Sequence, residues 1–380
     1  MKAKGLYIHI PFCISKCAYC DFCSFTRFDE RLINSYVDAL VREISEYKRE
    51  ERIPVDTVFI GGGTPSILTP AQLRKITTAI NDTFDLTSLF EFTVEVNPRT
   101  ADKDKLSSYL ALGVNRTSIG LQSIHENELK ILGRNQTYED FLAVYNSARE
   151  AGFENISIDI MYGIPSQTKE SLKETLSAVI SLSPEHISLY SLILEEDTPI
   201  YERADCLDIP DDDTVYEMYS LVNSTLSENG YLHYEISNYA KPGFSSAHNM
   251  KYWQLDDYIG VGISAHSFFE GQRFYNPADR FDLSTLTRYI NGETPRIFEE
   301  NGSLDNNLCE FVMLGLRTAR GISLSEFKAK FGEDFMEGRE REIDCLIKNG
   351  LAEICEERFY LIERGMFVSN SIICELTKST

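Results

Sequence analysis

No apolar run in the sequence approaches the length of a membrane-spanning helix, and no low-complexity tract interrupts it. No membrane span is therefore expected. Basic residues are scarce. There are 37 against 59 acidic ones, a net charge of −22, which argues against nonspecific binding to nucleic acid or to anionic lipid. The nine cysteines are an odd number, and five of them (Cys206, Cys309, Cys345, Cys355, Cys374) are scattered. No secretory signal precedes the first strand-like run, so reduced thiols and a cytoplasmic location are expected. Tryptophan occurs once, at Trp253.

What is present is ordinary for a globular chain: 43% hydrophobic and 25% charged residues over 380 positions, enough for one large and one small domain. Residues 1–230 alternate strand and helix signals. Strands are expected at Tyr7–Ile10, Val55–Ile60, Phe90–Val96, Val114–Ile119, Ile156–Ile160 and His186–Leu192. Thr69-Pro70-Ala71-Gln72 reads as a capping box with proline at the first helical position, and Thr137 and Thr168 read as further helix caps. Six strand–helix units imply a parallel sheet, which is a partial (β/α)6 TIM-like barrel. Residues 231–300 lose the alternation and read as a connecting segment with short strands at Tyr231–Ile236 and Arg273–Tyr275. Residues 301–380 resemble a winged helix, with a capping box at Ser323–Glu326 and a hairpin pairing Leu351–Cys355 with Phe359–Leu361 across Glu356-Glu357-Arg358. The ten basic and fourteen acidic residues of 305–380 speak for packing or partner contacts there rather than DNA reading.

The chemistry concentrates at Cys13, Cys17 and Cys20, a C-x-x-x-C-x-x-C loop directly after the first strand. Three thiolates this close can hold three corners of a [4Fe–4S] cubane and leave its fourth iron open to a ligand. A structural zinc site would normally separate two thiol pairs by a dozen or more residues, and no such spacer exists here. Cys23 would be a fourth thiolate, but it would close the open iron. The preferred reading of Cys23 is a small apolar residue.

Active sites of parallel barrels form at the C-terminal strand ends. Unusual residues recur there: Gly61-Gly62-Gly63-Thr64-Pro65 after strand 2, Glu95 and Asn97 at strand 3, Gln122 and Ser123 at strand 4, and Asp159 in strand 5. Each alone reads as a turn or a solvated cap; together they outline one mouth.

With Tyr19 before the third thiol, the loop resembles the radical S-adenosylmethionine (SAM) superfamily. Tyr7–Cys13, Gly61–Pro65, Glu95–Pro98, Ile119–Ser123, Gly133-Arg134 and Ile158–Pro165 resemble the oxygen-independent coproporphyrinogen III oxidase family in order. The resemblance implies Cys13, Cys17 and Cys20 as [4Fe–4S] ligands. It also implies Tyr7, Tyr19, Gly62, Gly63, Thr64, Glu95, Gln122, Arg134, Asp159 and Ile193 as the SAM site.

Two subgroups differ in function. The decarboxylating dehydrogenases carry a further cysteine two residues after the third ligand and a sizeable segment ahead of the cluster. Here that position is Phe22, and twelve residues precede Cys13. Cys20-Asp21-Phe22 followed by Ser24-Phe25, and above all His248-Asn249-Met250-Lys251-Tyr252-Trp253, resemble the HemW-type haem chaperones and their H-N-x-x-Y-W signature. That resemblance implies His248, Asn249, Tyr252 and Trp253 as haem-binding residues. It also implies transfer of haem to acceptor haemoproteins, including membrane-bound ones met at the membrane periphery. Chemically, a neutral imidazole can ligate haem iron and aromatic rings can face a porphyrin. A packed, hydrogen-bonded histidine is the alternative for His248. His9 and His266 are the other candidates for haem, His9 better suited to supporting the cluster site. Coproporphyrinogen III dehydrogenation is the alternative function, and SAM cleavage is left open.

Overall fold

Threonine and aspartate start the helices that shape this molecule. Thr69, Thr137 and Thr168 each accept a hydrogen bond from the backbone of the third helical residue, whose side chain in turn accepts one from the cap's own N–H. Asp29, Asp102 and Asp211 cap the helices Glu30–Glu46, Lys103–Ala111 and Asp212–Glu228 in the same way from one side. The computed structural model describes residues 2–299 and 304–378. The boundary expected at 300/301 falls outside them.

Six parallel strands lie side by side in chain order: β1 (Lys4–Ile10), β2 (Val55–Gly62), β3 (Glu91–Val96), β4 (Arg116–Gln122), β5 (Asn155–Tyr162) and β6 (His186–Ser191). Each expected strand is present, shifted by at most a few residues. Alternation decides which way each side chain points. Leu6, Ile8, Ile10, Val58, Ile60, Ile158 and Ile187 are fully buried beneath the helices. Their neighbours fill the barrel interior instead, and these are mostly polar. Thr57 meets His248, Arg116 meets Thr93, and Ser157 meets both His186 and Ser188.

Residues 231–299 extend the sheet at both edges. β7 (Leu232–Glu235) and β8 (Asn238–Ala240) form an antiparallel pair beside β6. β9 (Tyr258–Val261) runs parallel to β1 on its other side, followed by antiparallel β10 (His266–Phe269), β11 (Gln272–Tyr275) and β12 (Ile297–Phe298). The sheet therefore has twelve strands rather than six. β9 escapes a sequence reading because it is four residues long with a glycine inside. Gly260 is required there: a Cβ would stand 2.1 Å from the carbonyl oxygen of His266.

The C-terminal module packs helices Leu304–Leu316, Leu324–Phe331 and Glu340–Lys348 against a three-stranded antiparallel sheet of β13 (Ile322–Ser323), β14 (Ala352–Cys355) and β15 (Arg358–Leu361). Phe335 joins Phe327 and Phe359 at its centre, with ring separations of 5.1 and 5.5 Å. Cys355 pairs with Arg358, so the hairpin turn is Glu356-Glu357 alone, one residue shorter than expected. The Ile236 and Ala319 amides, bonded to the carbonyls of Arg317 and Tyr234, fasten the module to the barrel.

Candidate functional site

The cysteine loop leaves β1 and is closed at its base by two backbone bonds, Cys13 N to Phe25 O at 3.0 Å and Phe25 N to Pro11 O at 2.7 Å. Its far side is held by Ala18, whose amide donates to Leu132 O and whose carbonyl accepts from Ile200. Gly133 makes that approach possible. It adopts φ +70°, and a Cβ there would lie 2.8 Å from the Ala18 nitrogen.

Cys13, Cys17 and Cys20 border one cavity of about 470 Å³ at the C-terminal ends of the strands. Among the described residues no three ligand-type side chains converge as they would around a single ion. A cubane places each thiolate on a different iron, so its ligands surround a cluster rather than meet at a point, and three thiols facing one cavity fit that arrangement. Burial pushes the Cys20 thiol up to about 11, with the neighbouring thiols Cys17 and Cys13 adding to it. Burial also raises the Cys13 thiol, opposed by the hydrogen bond from Thr64. Burial thus favours the neutral form of the Cys13 and Cys20 thiols, and cationic iron would supply the charge that lets them ionise. Cys23 turns into the hydrophobic core, 8% exposed, as a small apolar residue would.

The same cavity gathers nearly every residue expected to hold SAM. Gly62 donates its amide to Glu95 Oε2 at 3.1 Å. Gly63 passes so close to the loop base that a Cβ would stand 2.7 Å from the Phe12 carbonyl. Thr64 donates to the Cys13 sulfur at 3.5 Å. Gln122 takes φ +71° at a bulge, where Gly120 faces Asp159 but Gln122 faces Ile160. Arg134 donates to the Tyr19 hydroxyl at 2.8 Å, and its buried Nε has no partner among the described residues. A buried donor without an acceptor is costly unless a ligand supplies one, as a carboxylate would. Asp159 accepts from Ser118 at 2.8 Å. Ile193 lies at the rim, 65% exposed.

Tyr7 is the exception. It lies below the cavity inside the barrel, bonded to His9 Nδ1 at 3.0 Å and stacked on Phe59. His9 in turn bonds the Cys23 carbonyl at 2.9 Å, so it braces the cysteine loop from beneath. The sequence reading omitted Ser118, Met161 and Tyr190, which also border the cavity. The signal was available, since each lies two residues from another interior position of its strand.

Glu95 and Asp159 face one another across this interior. Burial, and then the Asp159 charge, pushes Glu95 up to about 8; burial raises Asp159 also. Two buried carboxylates, raised by burial despite Arg116 and Arg134 nearby, would be relieved by a cationic ligand such as a sulfonium.

The H-N-x-x-Y-W segment is the helix Ala247–Trp253 at the opposite end of the barrel, its amides at 247 and 248 received by the Glu91 carboxylate. His248 is 1% exposed, with Nδ1 3.0 Å from the Thr57 hydroxyl and Nε2 2.8 Å from the Tyr252 hydroxyl. In this arrangement neither imidazole nitrogen is free to reach iron. Asn249 is half-buried, and Trp253 faces the C-terminal module across a separate cavity. His266 is exposed on β10 and stacked on Tyr275, apart from the motif.

A model of the Radical SAM superfamily matches residues 7–179, and one of the HemN C-terminal domain matches residues 303–368. The chain is 35% identical to the protein named Heme chaperone HemW of Lactococcus lactis over 375 residues, covering 98% of this chain and 96% of that one. It is 35% identical to the Heme chaperone HemW of Bacillus subtilis (97% and 98% covered) and 33% identical to that of Escherichia coli (97% of each). Among solved structures it shares the fold of the Escherichia coli coproporphyrinogen III oxidase HemN, a radical SAM enzyme, with a TM-score of 0.84 at 23% identity over 99% of this chain and 90% of that one. With relatives matched from end to end and three thiols around one cavity, the chain belongs to the HemW haem-chaperone family of radical SAM proteins.

Proposed function

We propose that the protein binds haem and passes it to acceptor haemoproteins, with a [4Fe–4S] cluster on Cys13, Cys17 and Cys20 and SAM beside it. The observation that carries this reading is the end-to-end likeness to relatives named as haem chaperones, with the His248–Trp253 segment present as one helix. A cluster held by Cys13, Cys17 and Cys20 would, when bound, supply an electron to the sulfonium of SAM. Around it, Arg134 is placed to receive the carboxylate of the methionyl group, Gly62–Thr64 to let the ligand approach the backbone, and Glu95 and Asp159 to balance its positive charge.

No described helix is long and apolar enough to cross a membrane. Delivery to membrane-bound acceptors is proposed as a peripheral encounter, from a cytoplasmic protein. The three-part organisation, 1–230 for cluster and SAM, 231–300 for haem and 301–380 as an appended module, is proposed as a division of labour on one continuous sheet and its neighbour.

The test is an anaerobic reconstitution followed by parallel titrations with haem and coproporphyrinogen III. Stoichiometric haem binding with a Soret band, and transfer of that haem to an apo-haemoprotein, is the expected result. Catalytic formation of protoporphyrinogen IX would establish the dehydrogenase reading instead. Production of 5′-deoxyadenosine in the same mixtures measures whether SAM is cleaved.

A further inference from the structure

Glu128 is 1% exposed and lies on the short helix Glu126–Ile131, between β4 and the turn that carries Arg134. Its carboxylate accepts hydrogen bonds from three separate parts of the chain. The Ser123 hydroxyl, just past the Gln122 bulge, donates to Oε2 at 2.6 Å. Gln167 Nε2, from the turn after β5, donates to the same oxygen at 3.1 Å. The Ser171 hydroxyl, in the helix Lys169–Leu182, donates to Oε1 at 2.6 Å. All three donors are neutral. Stability alone does not call for an acid at such a position, since apolar side chains of similar volume fill buried sites at least as well. An apolar side chain cannot, however, hold three polar groups at fixed distances.

The segments joined in this way build one side of the SAM cavity. Ser123 follows Gln122, and Gln167 Oε1 accepts the Ile164 amide at 3.3 Å, which ties the end of β5 to the carboxylate. The helix of Glu128 runs directly into Gly133 and Arg134. Leu132 N donates to the Glu128 carbonyl at 3.0 Å, and Arg134 N to the Leu129 carbonyl at 2.8 Å. Beneath the rim, Leu132, Met161 and Ile164 form a small buried cluster of their own, with Tyr19 packed against it. Tyr19, Gln122, Arg134 and Met161 border the cavity, whereas Glu128 lies behind them.

We propose that Glu128 is a positioning residue of the SAM site: without touching the ligand, its carboxylate sets the turn that aims the Arg134 guanidinium. The inference rests on the reading of this cavity as the SAM site and extends it to a residue outside the cavity wall. A guanidinium holds a carboxylate strongly only in a narrow geometry, so a small displacement of the Gly133–Arg134 turn weakens the contact. The cysteine loop keeps its own closure through Cys13 and Phe25, so the cluster ligands stay in place when that turn shifts.

The test measures SAM affinity by equilibrium dialysis of the anaerobically reconstituted full chain. Glu128→Leu is expected to weaken SAM binding about tenfold while iron and acid-labile sulfide are retained. Glu128→Gln is expected to restore most of that loss. It keeps one oxygen to accept from Ser123 and Gln167, and the Ser171 hydroxyl can turn to accept from its amide. Because the effect passes through Arg134, adding Glu128→Leu to Arg134→Ala should weaken binding by less than about twofold further. Should Glu128→Leu not fold, Ser123→Ala and Ser171→Ala take its place, each removing one bond and each expected to weaken SAM binding about twofold. Undiminished affinity in Glu128→Leu, or in both serine variants where they replace it, overturns the proposal. So does a full tenfold loss on top of Arg134→Ala. If the unaltered protein binds no SAM, the reading of the cavity itself fails, and the role of Glu128 falls with it.

Discussion

The ring of His248 and the hydroxyl of Tyr252, one helical turn apart, stand 2.8 Å from each other with their rings nearly perpendicular, at 89°. The contact makes two members of the haem signature partners of each other inside the barrel. Tyr252→Phe removes the hydroxyl and strands a buried imidazole nitrogen, so a loss of about 1–3 kcal/mol is expected. Thermal or denaturant unfolding measures it, and an unaltered midpoint would show that the pair does not hold the helix.

The same histidine gives the protein an acid limit. Burial, then Lys251 and Arg116, hold His248 down at about 3, while burial lowers His9 and His233 to about 4. In the unfolded chain these groups take up protons near their ordinary value, so the unfolded state binds more protons as pH falls below about 6.5. Stability is therefore expected to decline from there toward pH 4. Comparing His233→Gln with the unaltered protein across that window isolates one such group: the variant should lose less stability on acidification.

Glu95 works in the opposite direction. Held protonated up to about 8, it penalises the folded state increasingly as pH rises from the ordinary glutamate range to that value. In the ligand-free protein Glu95→Gln is expected to be close to neutral at pH 5 and stabilising at pH 8. Its affinity for SAM should fall most at the higher pH, where the carboxylate would have answered the ligand's positive charge. Equal melting shifts at both pH values would contradict the raised value.

Cluster assembly should separate the four neighbouring cysteines. Alanine at position 13, 17 or 20 is expected to abolish retention of iron and acid-labile sulfide after anaerobic reconstitution. Cys23→Ala should retain both, costing only packing of about 1 kcal/mol. Gly133→Ala, with its Cβ pressed against Ala18 and its φ positive, should displace the loop and lower cluster content without removing any ligand.

Glu356 and Glu357 turn the β14–β15 hairpin with φ of 49° and 59°, a conformation that asparagine and glycine adopt far more readily. Glu356→Asn with Glu357→Gly is expected to stabilise the protein by about 1 kcal/mol, read as a higher unfolding midpoint. No change in haem or SAM binding should accompany it.

Much of this protein is written in short stretches of its chain. A threonine cap with a glutamine or an acid three residues on, apolar alternation over half a dozen positions, and thiols three and four residues apart each act within one turn or one strand. The six parallel strands, their helices and the trio of cluster cysteines follow from such local rules. The strand-end glycines and carboxylates follow as well, because parallel barrels gather these ends on one rim.

Only the tertiary structure decided what depends on partners far away in sequence. β9 pairs with β1 across some 250 residues and carries too little pattern of its own to announce it. Cys23 joins the core through neighbours the loop sequence does not name, and Glu95 meets Asp159 only because β3 and β5 share one interior. Above all, six consecutive residues fix that His248, Tyr252 and Trp253 lie on one short helix, but not what that helix packs against. Thr57 of β2 claims the histidine and the C-terminal module faces the tryptophan, so the fold, by burying one side of the helix, set which of its side chains remain open to a ligand.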